Sequence, residues 1–413
     1  MLLRHRKTGP AFAVAKKQRM PMPAGFWPIW TTVALDLVGF GIVVPILGRY
    51  AKDFGASGLQ VGLMFASFSV AQMIFAPILG RISDRIGRKP VIIISLIGTA
   101  IGSFVTGAAG ALWVLFLGRI IDGASGASVS VAQGAITDIA PPERRAQLLG
   151  MLGAAFGIGF VVGPALGGLA ALGGTHIPFF LAGTIAAINA VAAFIRLPET
   201  KPTKTPTPKP VTKHESARSP LLMRYAFVSV LGTLGFSGFE ATFSLFGGER
   251  FNLTVGSSAM VFLFVGVVLT VVQGGLIGPL TKRFGSRKLV RVALPLNAVG
   301  LIVLAFTPNM QWAMLFAAMT LVSVGQGIVS PSATSLVAEA APADRRGEAL
   351  GYQQSAGAFA RIAGPIIAGA LFDNAGIGSP YLVGGLLFIA ALGAVWSVTH
   401  PRAAISVAAN EAS

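Results

Sequence analysis

The 413-residue sequence contains no cysteine, which excludes disulfides, thiolate metal sites and cysteine nucleophiles. Charge is scarce: 11% of residues are charged, against about 25% in an ordinary globular domain. Acid is scarcer still, with 15 Asp and Glu against 32 Lys and Arg. No G-x-x-x-x-G-K-[ST] occurs, so there is no P-loop to cradle ATP phosphates. G-x-S-x-G and H-E-x-x-H are missing too. The four histidines, His5, His176, His214 and His400, fall in tails or loops without ligand spacing. An enzyme, a resident cofactor and a metal site are therefore not expected. Any energy source has to be an ion gradient, and protons are the expected coupling partner.

What is abundant is apolar. Hydrophobic residues make up 54% of the chain, mean hydropathy is +0.73, and there are 52 Gly and 28 Phe. A soluble protein of this length has too little charge here to cover its surface, so the composition implies a polytopic membrane protein. A crossing helix needs about 20 apolar residues. Twelve segments qualify: 27–48, 58–80, 90–108, 111–135, 147–171, 177–196, 224–248, 258–280, 289–307, 311–337, 348–371 and 379–398. The expected class is an all-α membrane protein.

The net charge of +17 is distributed unevenly. Lys and Arg crowd the N-terminal tail, the loops after the second, fourth, eighth and tenth spans, and the central segment. The other side holds only Arg49, Lys52 and Arg250, while Arg119 and Arg361 fall inside spans. By the positive-inside rule both termini are expected in the cytoplasm of a multi-pass inner (plasma) membrane protein. The basic excess is a topology signal, so nucleic acid is not an expected partner.

Residues 197–223, rich in Pro, Thr and Lys, read as a solvated linker. The expected organisation is a basic tail over 1–26, six spans over 27–196, the linker, six spans over 224–399, and a tail over 400–413. The halves echo each other. APPERRAQLLG at 140–150 returns as APADRRGEALG at 341–351, and the same offset carries Gly163-Pro164 onto Gly364-Pro365 and Asp138 onto Glu339. GRISDRIG at 80–87 echoes as GPLTKRFG at 278–285. Parallel repeats of six spans are one transporter architecture.

Ionisable residues inside spans are expensive and mark functional positions. Asp36, Arg119, Asp122, Glu240 and Arg361 are the candidates. Asp36 suits a proton-coupling group. Arg119 and Asp122 are three apart and can pair on one helical face, yet Arg119 could instead hold Asp36, which leaves the proton carrier open between the two acids. Glu240 could take a cationic substrate or a second proton. Softer cavity candidates are Gln326, Gln353, Gln354 and Asn297, with Gln72, Asn189 and Gln273 behind them.

Around the second span's end, Gly80-Arg-Ile-Ser-Asp84-Arg85-Ile-Gly87-Arg88-Lys89 resembles the signature loop of the major facilitator superfamily. Gly80 would allow close helix approach and Gly87 a tight turn, with Asp84, Arg85 and Arg88 forming a conformational lock to Asp138. The echo has Lys282 at the place of Asp84, so a second lock is expected to be differently wired. In the fifth span, Gly150, Gly159, Gly163-Pro164 and Gly167-Gly168 are similar to the antiporter signature of drug/proton antiporters in that superfamily. The first span, LDLVGFGIVVPIL at 35–47, resembles that of the twelve-span drug/proton antiporters, tetracycline effluxers included, though Gly48 stands where they continue with a second proline. Gly118-Arg119-Ile-Ile-Asp122-Gly123 is similar to the fourth-span motif, with Asp122 replacing an uncharged residue.

The resemblance implies two six-helix bundles around a central cavity, in a monomer embedded in the lipid bilayer. Its implied activity is proton-coupled efflux of small amphipathic drug-like compounds by alternating access. A metabolite or sugar exporter or symporter, or a lipid transporter, remains the alternative. No acid lies between Leu289 and Thr307, where some tetracycline effluxers carry one, so tetracycline itself is not implied.

Overall fold

The computed structural model describes residues 22–141, 144–200, 220–341 and 346–396. The expected tails and most of the linker, residues 1–21, 201–219 and 397–413, lie outside the described residues. Among the described residues, twelve helices are long and apolar enough to cross a membrane. They are α1 (Phe26–Lys52), α2 (Gly58–Ile86), α3 (Arg88–Gly107), α4 (Leu112–Ile139), α5 (Arg145–Ala170), α6 (Ile177–Arg196), α7 (Pro220–Phe251), α8 (Val255–Phe284), α9 (Ser286–Ala305), α10 (Trp312–Ala340), α11 (Arg346–Asn374) and α12 (Ser379–Trp396). No strand occurs among the described residues. Backbone polar groups have no water to bond in hydrocarbon, which is why apolar segments of this length become helices.

Local chemistry sets the helix ends. Ser57 and Gln60 form a reciprocal capping box at the start of α2, with Ser57 N–H donating to Gln60 Oε1 at 2.8 Å, and Thr254 with Ser257 repeats it at α8. Gly87 and Gly285 separate α2 from α3 and α8 from α9 with φ of 110° and 77°. Only glycine takes such a backbone without strain, so the two echoed motifs end in the same kind of turn. The helix runs further than the hydropathy suggests: Gly80, Asp84 and Arg85 belong to α2, and only Gly87 turns. At the fourth span the expectation of one continuous helix fails. α4 is two pieces, Leu112–Ser125 and Ser128–Ile139, and Gln72 of α2 donates to the carbonyl of Gly126 in the break at 3.0 Å.

In the first six helices α1 packs on α5 and α6, and α3 on α4 and α6. In the last six α7 packs on α11 and α12, and α9 on α10 and α12. The two sets meet through α2 with α11, α5 with α8, and α1 with α7 and α8. Apolar side chains face outward: Trp113, Phe194, Ile195 and Leu172 are well exposed. This inverts the pattern of a soluble protein and suits a lipid-facing shell.

The meeting of the two sets is asymmetric along the helices. Near the end remote from the basic α2–α3 and α8–α9 turns, α1 and α7 press Ile46 and Leu47 into one core with Phe243 and Phe246. Backbones nearly touch there, since a Cβ on Gly62 would collide with the Pro365 carbonyl and one on Gly369 with that of Gly58. At the basic end α2 and α11, and likewise α5 and α8, stand apart. A Cβ on Gly80 of α2, Gly153 of α5, Gly278 of α8 or Gly351 of α11 would meet nothing within 4 Å.

Candidate functional site

The break in α4 brings Ser128 against α1, where its hydroxyl donates a short hydrogen bond to Asp36 Oδ2. Arg119 lies two turns earlier, 2% exposed, and its Nη1 pairs with Asp122 Oδ2 at 2.6 Å. The guanidinium also sits over the ring of Phe68, 4.3 Å from its centroid, an attraction strengthened by desolvation. Of the two partners considered for Arg119, Asp122 has it. Adjacency on one helix explains this, because an i,i+3 pair needs no helix to move. Asp36 is left with a hydroxyl partner and no cation within 4.0 Å among the described residues.

Ser128 was not anticipated. Sequence offered no signal for it beyond a serine at a helix irregularity, because the break that aims it was not legible.

The glycines of the fifth span divide by face. Gly159, Gly163 and Gly167 lie on α1 at Leu37, Gly41 and Ile42, so they seat the helix that carries Asp36. Gly168 faces α8 instead, near Gly256 and Ala259. Gly150 faces open space, and Pro164 lies within the unbroken helix α5.

At the basic end Arg88 gathers several groups. Its Nε pairs with Asp138 of α4 at 3.0 Å, and its Nη1 with Asp84 at 2.6 Å and the Ser83 hydroxyl at 2.7 Å. Its backbone N–H donates to Glu199 at 2.8 Å. Arg85, the other expected partner of Asp138, is exposed and makes no ion pair among the described residues. Gly80 makes no close approach in this arrangement, contrary to expectation, because the helices that would face it are parted. In the second half Ser286 stands at the place of Arg88 and donates to Glu339 at 3.1 Å; the echo is a neutral donor to an acid.

The C-terminal candidates separate. Gln326, Gln353, Gln354 and Arg361 line one cavity of about 320 Å³ between α7, α10 and α11. Asn297 does not join them: it is fully buried and packs on Gly325 at the α9–α10 contact, donating to Ala293 O at 3.4 Å. The amide, two residues past the helix proline Pro295, fills the space that Gly325 leaves. Glu240 is likewise outside the cavity lining. It acts on Arg361 electrostatically, but no ion pair joins them within 4.0 Å among the described residues.

Among the described residues, twelve helices long enough to span a membrane, an acid and a cation inside them without a close ion pair, and two sets of six joined at one end give the architecture of a membrane transporter. The sequence profile described as Major Facilitator Superfamily matches residues 29–309 and 271–412, and the chain belongs to that superfamily. It is a membrane transporter and not an enzyme. The chain is 31% identical to the tetracycline resistance protein, class C, of Escherichia coli over 88% of its own length and 94% of that protein. It is 30% identical to multidrug resistance protein 1 of Bacillus subtilis over 83% and 88%. Among solved structures, the human organic anion transporter MFSD10 superposes with a TM-score of 0.69 at 24% identity, covering 90% of this chain and 98% of that one; this likeness concerns the fold alone.

Proposed function

We propose that the protein is a proton-coupled exporter of small amphipathic drug-like compounds across the bacterial inner membrane. The observation that carries the coupling is the state of Asp36: an acid inside a span, bonded to one hydroxyl, beside an Arg119–Asp122 pair that is already closed. A carboxyl so placed can exchange a proton without breaking an ion pair, which makes Asp36 the carrier and Asp122 the counter-charge of Arg119. Relatives named for tetracycline and multidrug resistance, at about the 30% level, support export of drug-like solutes.

In this reading the two six-helix sets rock as bodies about the helices that join them. The positive-inside rule puts the basic end and both termini in the cytoplasm, so the arrangement described is inward-facing. Proton uptake at Asp36 from outside would accompany substrate release there. The gradient is the sole energy source, no cofactor takes part, and a single chain is the working unit.

The test is an internal pH dye in proteoliposomes with an imposed gradient and a drug panel. Drug-driven proton movement in the wild type, lost in Asp36→Asn, is expected. Undiminished exchange in Asp36→Asn removes it as carrier, and silence with every drug removes drug efflux.

A further inference from the structure

The cavity between α7, α10 and α11 contains a cation and no acid in its lining. Arg361 extends past Gly357 of the preceding turn, with Nη1 3.8 Å from where a Cβ would stand, an ordinary contact. Arginine keeps its charge in any protein environment, and a cation inside a span is tolerated where it faces a water-accessible cavity, as the exposed Arg361 does. Among the described residues no carboxylate comes within 4.0 Å of it. Amides and hydroxyls make up the polar remainder. Gln353 Nε2 donates to Ser229 at 2.8 Å and to Thr334 at 3.4 Å, so part of the lining is fixed within the protein. Gln326 Oε1 is buried and has no partner. An unmet buried acceptor costs free energy until a donor arrives.

We propose that this cavity selects small organic anions and zwitterions, whose carboxylate pairs with Arg361 and which carry a hydroxyl or N–H elsewhere to satisfy Gln326. Arginine's planar fork matches a carboxylate with two parallel hydrogen bonds; Glu240, which acts on Arg361 from outside the lining, makes no ion pair with it within 4.0 Å among the described residues, so the guanidinium is the charge the cavity presents. Leu350 and Gln353 lie near the start of α11, so the cavity opens toward the basic end where the halves are parted. At about 320 Å³ it sits at the lower bound of roughly 300 Å³ for small-molecule pockets. The inference deepens the proposed export reading by giving the substrate its charge.

Equilibrium dialysis of the purified full chain, without any gradient, tests it with three probes: a hydroxynaphthoate, its methyl ester, and the corresponding hydroxynaphthyl trimethylammonium. The acid is expected to bind on the order of tenfold tighter than the ester, the scale of one charge-assisted hydrogen-bond set. The ammonium should not compete with it. Arg361→Gln is expected to abolish the preference for acid over ester, and Arg361→Lys to keep part of it. Equal binding of acid, ester and ammonium would overturn the proposal, as would an intact preference in Arg361→Gln. If that variant does not fold, the wild-type probe series decides alone. Acid preference without drug–proton exchange in vesicles would remove the export reading and leave this one standing; exchange of cationic drugs with no acid preference would do the reverse.

Discussion

Asp373, in the last turn of α11, accepts hydrogen bonds from the backbone N–H groups of Gly58 and Leu59, both at 2.7 Å. The first turn of α2 thus receives its anionic cap from the other half of the molecule. Helix N-termini favour negative charge, and this one finds it only while α2 and α11 are together. Removing the carboxylate should loosen the closed end.

The absence of cysteine makes that measurable. In Ile366→Cys, the thiol sits at the α2–α11 contact, beside Gly62. Adding Asp373→Ala is expected to speed labelling by an impermeant thiol reagent roughly tenfold, the worth of about 1.4 kcal/mol from a charged hydrogen-bond pair. An unchanged labelling rate would show that apolar packing alone keeps this end shut.

The Arg119–Asp122 pair predicts an asymmetry in stability. Asp122→Asn leaves a guanidinium that is 2% exposed without its counter-charge, and breaking a buried pair costs about 3–5 kcal/mol. Thermal unfolding should fall clearly in that variant. Arg119→Met combined with Asp122→Leu should recover most of the loss while transport stays absent. Failure of the double variant to recover would mean that Phe68, which the guanidinium covers, depends on the charged groups for its packing.

Two glycines of the fifth-span motif should respond oppositely to alanine. A Cβ at Gly163 would lie 2.6 Å from Gly41 Cα, and overpacking costs about 1–3 kcal/mol. Gly150 has open space around it, and alanine there gains up to about 1 kcal/mol of helix propensity. Melting curves of the two variants should shift in opposite directions; equal shifts would deny that Gly163 is held by the α1–α5 contact.

Arg88 and Asp138 join α3 to α4 at the basic end. Arg88→Ala is expected to slow transport several-fold, since Asp84 and Asp138 are then left as neighbouring acids without their shared cation. Arg88→Asp with Asp138→Arg should restore only part of the rate, because Asp84 pairs with the original orientation. Full activity in Arg88→Ala would reduce the group to a topology signal. Vesicle flux measurements decide between these outcomes.

The spans were legible because hydrocarbon imposes one demand on every crossing segment, and composition alone answers it. The echoed turns were legible for a similar reason: Gly87 and Gly285 adopt a backbone that few other residues tolerate. Pairings over long sequence distance were not. Nothing near Asp36 in the chain names Ser128, and nothing near Gly58 names Asp373, since each contact depends on how whole helices dock. Asn297 and Gln326 look alike as polar residues in apolar spans, yet one fills a helix contact and the other lines a cavity.

By itself the sequence determined that this chain crosses a membrane twelve times, that its two halves share a design, and which ionisable residues must lie inside the spans. Those are consequences of local hydropathy and of residue types with few backbone options. Tertiary structure alone decided which acid holds Arg119, which face each glycine presents, where a cation meets an acid-free cavity, and which end of the molecule is closed. Such choices turn on the relative placement of helices far apart in the chain, where several partners are chemically equivalent and only geometry separates them.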